Sequence, residues 1–261
     1  MRAVIPGPVA AAAPARAFAH ETLRVSPAPG VTTTLHVLRL ARSRFRVRVA
    51  RLDPLARLAD WCSETGAEHA LIGGFYVRAR SVPLGDLWID GRALPSEPFD
   101  APWDRLRSCV HIEGDEVTLR PRTELPAAIA GDLLQAGPLL VRGGRSAIRA
   151  GVDPEGFSAG ARQFDSDITV GRYPRAALGV NDRELIAAVC DGRTDDDSGL
   201  ELGELADVML SLGATDAINL DGGGSASLVV SGRLVNVPRE EHGVHLVGGR
   251  PVPTALRFEP R

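Results

Sequence analysis

Short stretches in which apolar and polar residues alternate, each followed by a turn sequence, dominate the chain from about residue 31 onward. Residues 32–40 (TTTLHVLRL) and 45–52 (FRVRVARL) have the two-residue period of half-buried β-strands. Hairpin turns are predicted at Asp90–Gly91 and near Gly114–Asp115. Because the strands do not alternate regularly with helices, the pattern favours an α+β domain.

Three segments have the features of helices. Residues 54–66 begin at a proline and end at a glycine, and residues 125–136 read as a short helix. Residues 199–213 carry leucine, valine and methionine at helical spacing, with Ser198 as a candidate cap and Gly213 as the stop.

The third helix falls between two predicted strands, so residues 184–220 should contain a strand-helix-strand crossover. We therefore predict an α+β fold: a single sheet-rich domain of mixed strands, several hairpins and this crossover, spanning residues 31–261. Residues 1–30 are predicted to be a loosely structured N-terminal segment, and residues 157–172 a long surface loop.

Composition restricts the partners. No apolar run approaches the roughly 18 residues that a membrane span needs, and the net charge of −3 is not gathered into any charged block. We therefore expect neither a membrane nor a nucleic acid as partner. A weak signal-like stretch at the N-terminus contains several prolines, so a cytoplasmic protein is expected, with export as the alternative. The sequence does not indicate an oligomeric state.

The basic and sulfur-containing residues exclude several chemistries. All 30 basic residues are arginine, which excludes lysine Schiff bases and a Walker-type nucleotide site. Guanidinium is then the cation available for a phosphate or carboxylate. The cysteines, Cys62, Cys109 and Cys190, are odd in number and far apart, and are predicted to be buried thiols.

A glycine-rich stretch follows one strand directly. Residues 218–230 (INLDGGGSASLVV) lack the spacing of a nucleotide-binding loop, and a β-type run rather than a helix follows. Consecutive glycines let a ligand approach the backbone and expose N–H donors. Asp221 and Asn219 adjoin these donors, which indicates a binding or catalytic site.

A second aspartate ends another strand, at Asp191–Gly192–Arg193. The predicted crossover would put Asp191 and Asp221 at the same end of adjacent parallel strands, where ligands often bind. The acids Asp195–Asp197 have the chemistry to hold Ca²⁺ or Mg²⁺, but a solvated loop is the simpler interpretation. The sequence requires no cofactor.

Six blocks in one order resemble the phosphodiester glycosidase family, and together they cover roughly residues 65–260. The blocks are HALIGGFY (69–76), QAGPLLVRGGR (135–145), PRAALGV (174–180), VCDGR (189–193), the long block 199–236 and GGRPVPTALRF (248–258). The resemblance implies hydrolysis of a sugar-1-phosphodiester, with release of the sugar and a phosphomonoester.

Roles follow from the resemblance position by position. Asp191 and Asp221 would be the catalytic carboxylate pair. Arg175 and Arg193 would hold phosphate, while Asn219, Ser225 and the amides of Gly222, Gly223 and Gly224 would bind sugar hydroxyls or phosphate oxygens. Gly73, Gly74 and Arg250 would be further substrate-binding positions.

Two positions depart from the family pattern. Ile72 stands where the family usually has asparagine, and Gly249 where it usually has glutamate. Glu240, Glu241, His242 and His245 are candidate substitutes, although a polar loop is the simpler interpretation of that segment.

The leading hypothesis is a hydrolase that cleaves the glycosidic bond of a sugar-1-phosphodiester, for which a specialised small-molecule substrate of secondary metabolism is as plausible as a glycan. One alternative is a catalytically silent domain that binds carbohydrate or phosphate. Another is a metal-dependent phosphodiesterase that cuts the other ester bond.

Overall fold

The computed structural model describes residues 17–158 and 169–261, in which the chain forms 19 strands and three α-helices. The strands are β1 (Phe18–Ala28), β2 (Val31–Ala41), β3 (Phe45–Ala56), β4 (His69–Ile72), β5 (Tyr76–Val77), β6 (Val82–Pro83), β7 (Leu87–Ile89), β8 (Arg92–Ala93), β9 (Ser108–Glu113), β10 (Glu116–Pro121), β11 (Asp132–Gln135), β12 (Leu139–Arg142), β13 (Arg145–Ser146), β14 (Arg175–Val180), β15 (Glu184–Cys190), β16 (Asp216–Asn219), β17 (Leu228–Val230), β18 (Arg233–Leu234) and β19 (Val252–Pro260). The helices are α1 (Leu58–Thr65), α2 (Trp103–Leu106) and α3 (Leu202–Ser211). The predicted sheet-rich character is confirmed.

The strands form three large sheets and one small one. The seven-stranded sheet has the order β1-β2-β15-β14-β16-β12-β13, and the five-stranded sheets have the orders β10-β9-β11-β7-β8 and β18-β17-β4-β19-β3. Strands β5 and β6 pair separately. Every pairing between these named strands is antiparallel, so the mixed pairing predicted from the sequence is wrong for the described residues.

The central strands of the seven-stranded sheet are buried on both faces. Ala187 and Val189 of β15 belong to the main apolar core, while Ile186 and Ala188 pack with residues of α3 in a second cluster. A strand covered on both faces has a continuous apolar run rather than an alternating one. The sequence of residues 185–190 (LIAAVC) is such a run.

Three strands bring the two aspartate-containing turns to one edge of this sheet. β15 and β16 are each antiparallel to β14, so both run in the same direction and end at the same edge. They are not neighbours, because β14 lies between them. The prediction that Asp191 and Asp221 follow adjacent parallel strands is therefore wrong.

A second sheet contributes its own strand ends to the same region. β4 ends at Ile72, and β17 and β19 begin at Leu228 and Val252, with both of them antiparallel to β4. The Asp221 N–H donates to the Gly73 carbonyl at 3.1 Å, which links the end of β16 to the end of β4. The blocks that resemble one family thus converge at a junction between two sheets.

The N-terminal prediction is wrong where the structure describes that segment. Phe18–Ala28 form β1, which pairs with β2 from Phe18 opposite Leu40 to Val25 opposite Thr33. β1 is an edge strand, and each of its residues is exposed or only partly buried. Residues 1–16 lie outside the described residues, as do residues 159–168 of the predicted surface loop.

Three local predictions differ from the structure. Pro54 lies in the edge strand β3 rather than at a helix start, and an edge strand tolerates the missing N–H of proline. Residues 125–136 are not an α-helix: Gly131 has a φ of +75°, and the chain then enters β11. The helix α3 begins after Glu201 rather than at Ser198, and the Glu204 carboxylate accepts the Glu201 N–H at 2.9 Å.

The cysteines are free and buried, as predicted. Within residues 17–158 and 169–261, no helix has the length and apolar character needed to cross a membrane.

Packing of α3 on β14 gives a test of the fold. Gly179→Ala should lower the free energy of unfolding by about 1–2 kcal/mol, because the new Cβ would lie 2.6 Å from Met209 Cε and 3.0 Å from Ala214 Cβ. The control Gly203→Ala, within α3, would meet no atom closer than 3.9 Å and should be neutral or stabilising by about 0.5 kcal/mol. Urea denaturation measures both variants, and equal stabilities would contradict this packing.

Candidate active site

The glycine-rich stretch forms a tight turn at the junction of the two sheets. Gly223–Ser225 make a single turn of 3₁₀-helix, and Gly223 has a φ of +58°, which favours glycine. The Gly222 N–H donates to the Asp221 carboxylate at 2.8 Å. The turn therefore fixes the carboxylate against its own backbone.

Neighbouring atoms leave no room for side chains in this turn. A Cβ at residue 222 would lie 2.8 Å from the Pro174 carbonyl oxygen, and one at residue 224 would lie 2.9 Å from a guanidinium nitrogen of Arg250. The Gly223 N–H donates to the same Pro174 oxygen at 2.8 Å. Two of the glycines thus permit close packing, and the Gly223 amide is used within the protein.

The environment of Asp221 alters its acidity. Burial raises the pKa of Asp221 to about 6, against hydrogen bonds from Ser225 and Gly222 and the positive charges of Arg250 and Arg78. Burial also raises the pKa of the Tyr76 hydroxyl, and the Asp221 charge adds to that shift. A carboxyl group with a pKa near neutral pH is suited to proton transfer.

Three arginines surround one glutamate beside this turn. The Glu240 carboxylate accepts hydrogen bonds from Arg250, at 3.0 Å from Nε and also from Nη2. It lies 3.8 Å from Arg193 and 4.0 Å from Arg78. Arg250 also approaches the turn, with its Nη1 3.3 Å from the Ser225 hydroxyl. A continuous set of polar contacts therefore joins Glu240 to Asp221.

Arg193 has an unusual backbone conformation and a largely buried side chain. Its φ is +68°, its Nη1 donates to the Arg239 carbonyl at 2.9 Å, and its guanidinium carbon lies 5.8 Å from the centre of the Tyr173 ring. A left-handed conformation in a residue other than glycine often marks a functional position. Arg193 also borders a surface cavity of about 400 Å³ that is lined by Tyr173, Arg193, Glu241, His242 and Gly243.

Asp191 lies at the same edge of the seven-stranded sheet as Asp221, but its carboxylate contacts other segments. Its buried carboxylate contacts the His36 ring at 3.2 Å and accepts the Val237 N–H at 2.7 Å. Both oxygens are thus engaged with β2 and with the segment after β18. No contact in the described part of the chain joins this carboxylate to Asp221. The arrangement is that of a structural anchor.

Two further predicted site residues point into the protein. Arg175 is 4% exposed and donates to the carbonyls of Leu200, at 2.7 Å, and Gly171, at 3.2 Å. Asn219 is buried, and its amide donates to the carbonyls of Gly137 and Leu220 at 2.9 Å. These contacts anchor the backbone around the site.

Gly73 and Gly74 allow two strands to meet behind the turn. A Cβ at residue 73 would collide with Thr254, whose hydroxyl also accepts the Gly74 N–H at 3.2 Å. The departure at Ile72 falls in the core, where its side chain is fully buried. A Cβ at Gly249 would lie 3.0 Å from the Ser227 hydroxyl.

The acidic residues 195–197, which follow Arg193, include a carboxylate that is bound by other parts of the protein. The Asp197 carboxylate accepts the Thr34 N–H at 2.6 Å and pairs with Arg24 at 2.7 Å. Within residues 17–158 and 169–261, no group of three or more histidine, cysteine, aspartate or glutamate side chains has an arrangement suited to a metal ion.

The site also contains residues that sequence reasoning missed or ranked low. The sequence gives no reason to assign Arg78, Tyr76 or Tyr173, and it indicates Glu240 only as a substitute for the glutamate that the family usually has. Tyr76 ends the matching block 69–76 and Arg78 lies two residues beyond it, which is the one local signal for them.

Comparison with known proteins identifies the family. Residues 65–259 match the phosphodiester glycosidase family. The mouse N-acetylglucosamine-1-phosphodiester alpha-N-acetylglucosaminidase is 30% identical over 194 residues, which cover 71% of this chain and 36% of the mouse protein. The human protein of the same name is 41% identical over 68 residues, or 25% of this chain and 13% of the human one. This chain thus spans about a third of the length of the mouse relative.

Solved structures share the fold. The zebrafish N-acetylglucosamine-1-phosphodiester alpha-N-acetylglucosaminidase catalytic domain, auto-inhibited by its pro-peptide, has a TM-score of 0.71 at 19% identity, covering 94% of this chain and 83% of that one. A hypothetical protein from Synechocystis has a TM-score of 0.65 at 18% identity, with coverages of 94% and 62%. The family match spans most of the chain and includes every residue around Asp221 and Glu240 described above. This chain belongs to the phosphodiester glycosidase family.

Proposed function

We propose that this protein hydrolyses the glycosidic bond of a sugar-1-phosphodiester, with Asp221 as the catalytic carboxylate. The observation that carries the proposal is the position of Asp221: its carboxylate adjoins, through Ser225, a cluster of three arginines of which Arg193 and Arg250 are largely buried. Guanidinium groups bind phosphate oxygens, and a carboxylate of raised pKa exchanges protons near neutral pH. The mouse relative is named for this kind of reaction.

Arg250, Arg193 and Arg78 hold the phosphate in this proposal. Their guanidinium groups already converge on one carboxylate, that of Glu240, and Arg250 and Arg193 are only 13% and 14% exposed in their side chains. Charge pairs that are shielded from water are stronger than exposed ones. The cavity beside Tyr173 and Arg193 then receives one of the two groups esterified to the phosphate.

Asp221 acts in its ionised form. The bond from the anomeric carbon to the ester oxygen breaks, and its electron pair goes to the phosphate. Since a phosphomonoester has a second pKa of about 6, it leaves without a strong proton donor. The carboxylate stabilises positive charge at the anomeric carbon and takes a proton from the attacking water.

Substitution of Asp221 should affect activity, whereas substitution of Asp191 should affect stability. Asp221→Asn should lower kcat/KM at least about a hundredfold with little change in stability, because it removes the proton acceptor. Asp191→Ala should lower the free energy of unfolding by about 2 kcal/mol, because it leaves the Val237 N–H and His36 without their partner. Steady-state kinetics and urea denaturation measure the two effects. Full activity in Asp221→Asn would refute the assignment.

The pH dependence of the reaction should follow Asp221. Because the ionised carboxylate is required and its pKa is about 6, kcat/KM should rise as the pH increases through that value and then level off. A profile of kcat/KM against pH for the free enzyme makes the measurement. A rate that falls over the same interval would mean that the protonated carboxyl group is the active form.

The bond that breaks can be identified with isotopically labelled water. Hydrolysis in H₂¹⁸O should place the label in the released sugar, since water attacks the anomeric carbon in the proposed reaction. Label in the phosphate, together with loss of activity on addition of EDTA, would support the metal-dependent phosphodiesterase instead. Binding of diesters without turnover of any would support a silent binding domain.

A further inference from the structure

Glu240 occupies the centre of the arginine cluster in the free protein. Each of the three guanidinium groups lies within 4.0 Å of its carboxylate. Burial acts to raise the pKa of Glu240, but the hydrogen bonds and charges of the arginines outweigh it, and the pKa lies below the ordinary value. Glu240 is therefore a fixed negative charge at neutral pH.

The charges in contact around Glu240 and Asp221 sum to a small net value. Among the described side chains, Arg78, Arg193 and Arg250 carry three positive charges, and the two carboxylates carry two negative ones. The net charge of this set is one positive unit when both carboxylates are ionised. It balances an anion of one negative charge, which is the charge of a phosphodiester.

The product of the proposed reaction carries more charge than the substrate. Hydrolysis converts a monoanionic diester into a phosphomonoester, which has two negative charges above its second pKa of about 6. The Coulomb repulsion between Glu240 and a bound anion is proportional to the anion's charge, so Glu240 opposes the dianion about twice as strongly as the monoanion.

We propose that Glu240 is a built-in counter-anion that makes the arginine cluster prefer a monoanionic phosphodiester over a dianionic phosphomonoester. This specificity role rests on the proposed function, because it assigns the cluster to the phosphate of the substrate. In this proposal the loop of residues 238–246, which contains Glu240, supplies the negative charge that weakens binding of the product.

Loss of the Glu240 charge should tighten binding of both kinds of anion, but unequally. In Glu240→Gln the net charge of the set becomes two positive units, which balances a dianion. Because the Coulomb energy is proportional to the charge of the anion, the gain in affinity for the dianion should be about the square of the gain for the monoanion. If the affinity for the monoanion rises about threefold, the affinity for the dianion should rise about tenfold, which corresponds to about 1.4 kcal/mol.

Calorimetric titration with two simple phosphates tests the inference without any turnover. Dimethyl phosphate represents the diester, and methyl phosphate represents the monoester at about pH 8, where it is a dianion. Both are titrated into the wild type, Glu240→Gln and the control Glu64→Gln. The control removes the same charge from an exposed side chain of α1 that makes none of the ion pairs found in residues 17–158 and 169–261.

The expected result is a gain for methyl phosphate in Glu240→Gln that clearly exceeds the gain for dimethyl phosphate, with changes of less than about twofold in Glu64→Gln. Equal gains, no gain or weaker binding in Glu240→Gln would overturn the specificity role while leaving the anion site intact. Failure of the wild type and both variants to bind either phosphate would overturn the anion site and the proposed function together. An unchanged melting temperature for Glu240→Gln confirms that the variant is folded.

Discussion

Close approach of backbone segments at the triglycine turn is the constraint on which the rest of the site depends. Gly222 lies against the Pro174 carbonyl and Gly224 against Arg250, so a side chain at either position would displace its neighbour. Displacement of Arg250 would break its contacts with Ser225 and Glu240 together. The absence of side chains at these glycines therefore allows the Pro174 carbonyl and the Arg250 guanidinium to pack closely against the turn.

Partial burial gives the turn and the arginines their chemical properties. Removal of water raises the pKa of Asp221, and it also strengthens the attraction between the guanidinium groups and any anion beside them. One junction between two sheets thus places the proposed proton acceptor beside the proposed anion-binding cluster. The same surroundings make the balance of charge important, because a few fixed charges determine which anions bind well.

Local sequence patterns predicted the parts of the structure that local interactions determine. The strand periods and α3 follow from short-range patterns, and the same kind of pattern indicates residues 221–225 as a candidate site. The order of the strands does not follow from such patterns. It depends on β14 pairing with β15 on one side and with β16 on the other, and these contacts are made between segments that are distant in the sequence. The Asp-Gly-Arg sequence at Asp191 resembles a site locally, yet its environment is decided by His36, which lies on β2.

Long-range contacts also explain the residues that sequence reasoning missed. Arg78, which the sequence does not indicate, and Glu240, which it indicates only as a substitute, lie far along the chain from Arg193, and no spacing relates the three. The short helix predicted for residues 125–136 was wrong for a related reason. Asp132, at the start of β11, is held by the Val49 N–H at 3.0 Å and by Arg48, which are contacts made by a strand far away in sequence.

The anchor at Asp191 has a mechanical consequence for the loop that holds Glu240. Val237 is tied to Asp191, and the loop is closed on itself by hydrogen bonds from the Leu246 N–H to the Pro238 carbonyl at 3.0 Å and from the Glu240 N–H to the Val244 carbonyl at 2.8 Å. With the main chain tethered on both sides and the carboxylate hydrogen-bonded to Arg250, Glu240 is held beside the arginines by the protein itself. The proposed selection among anions would therefore need no movement of the main chain when an anion binds.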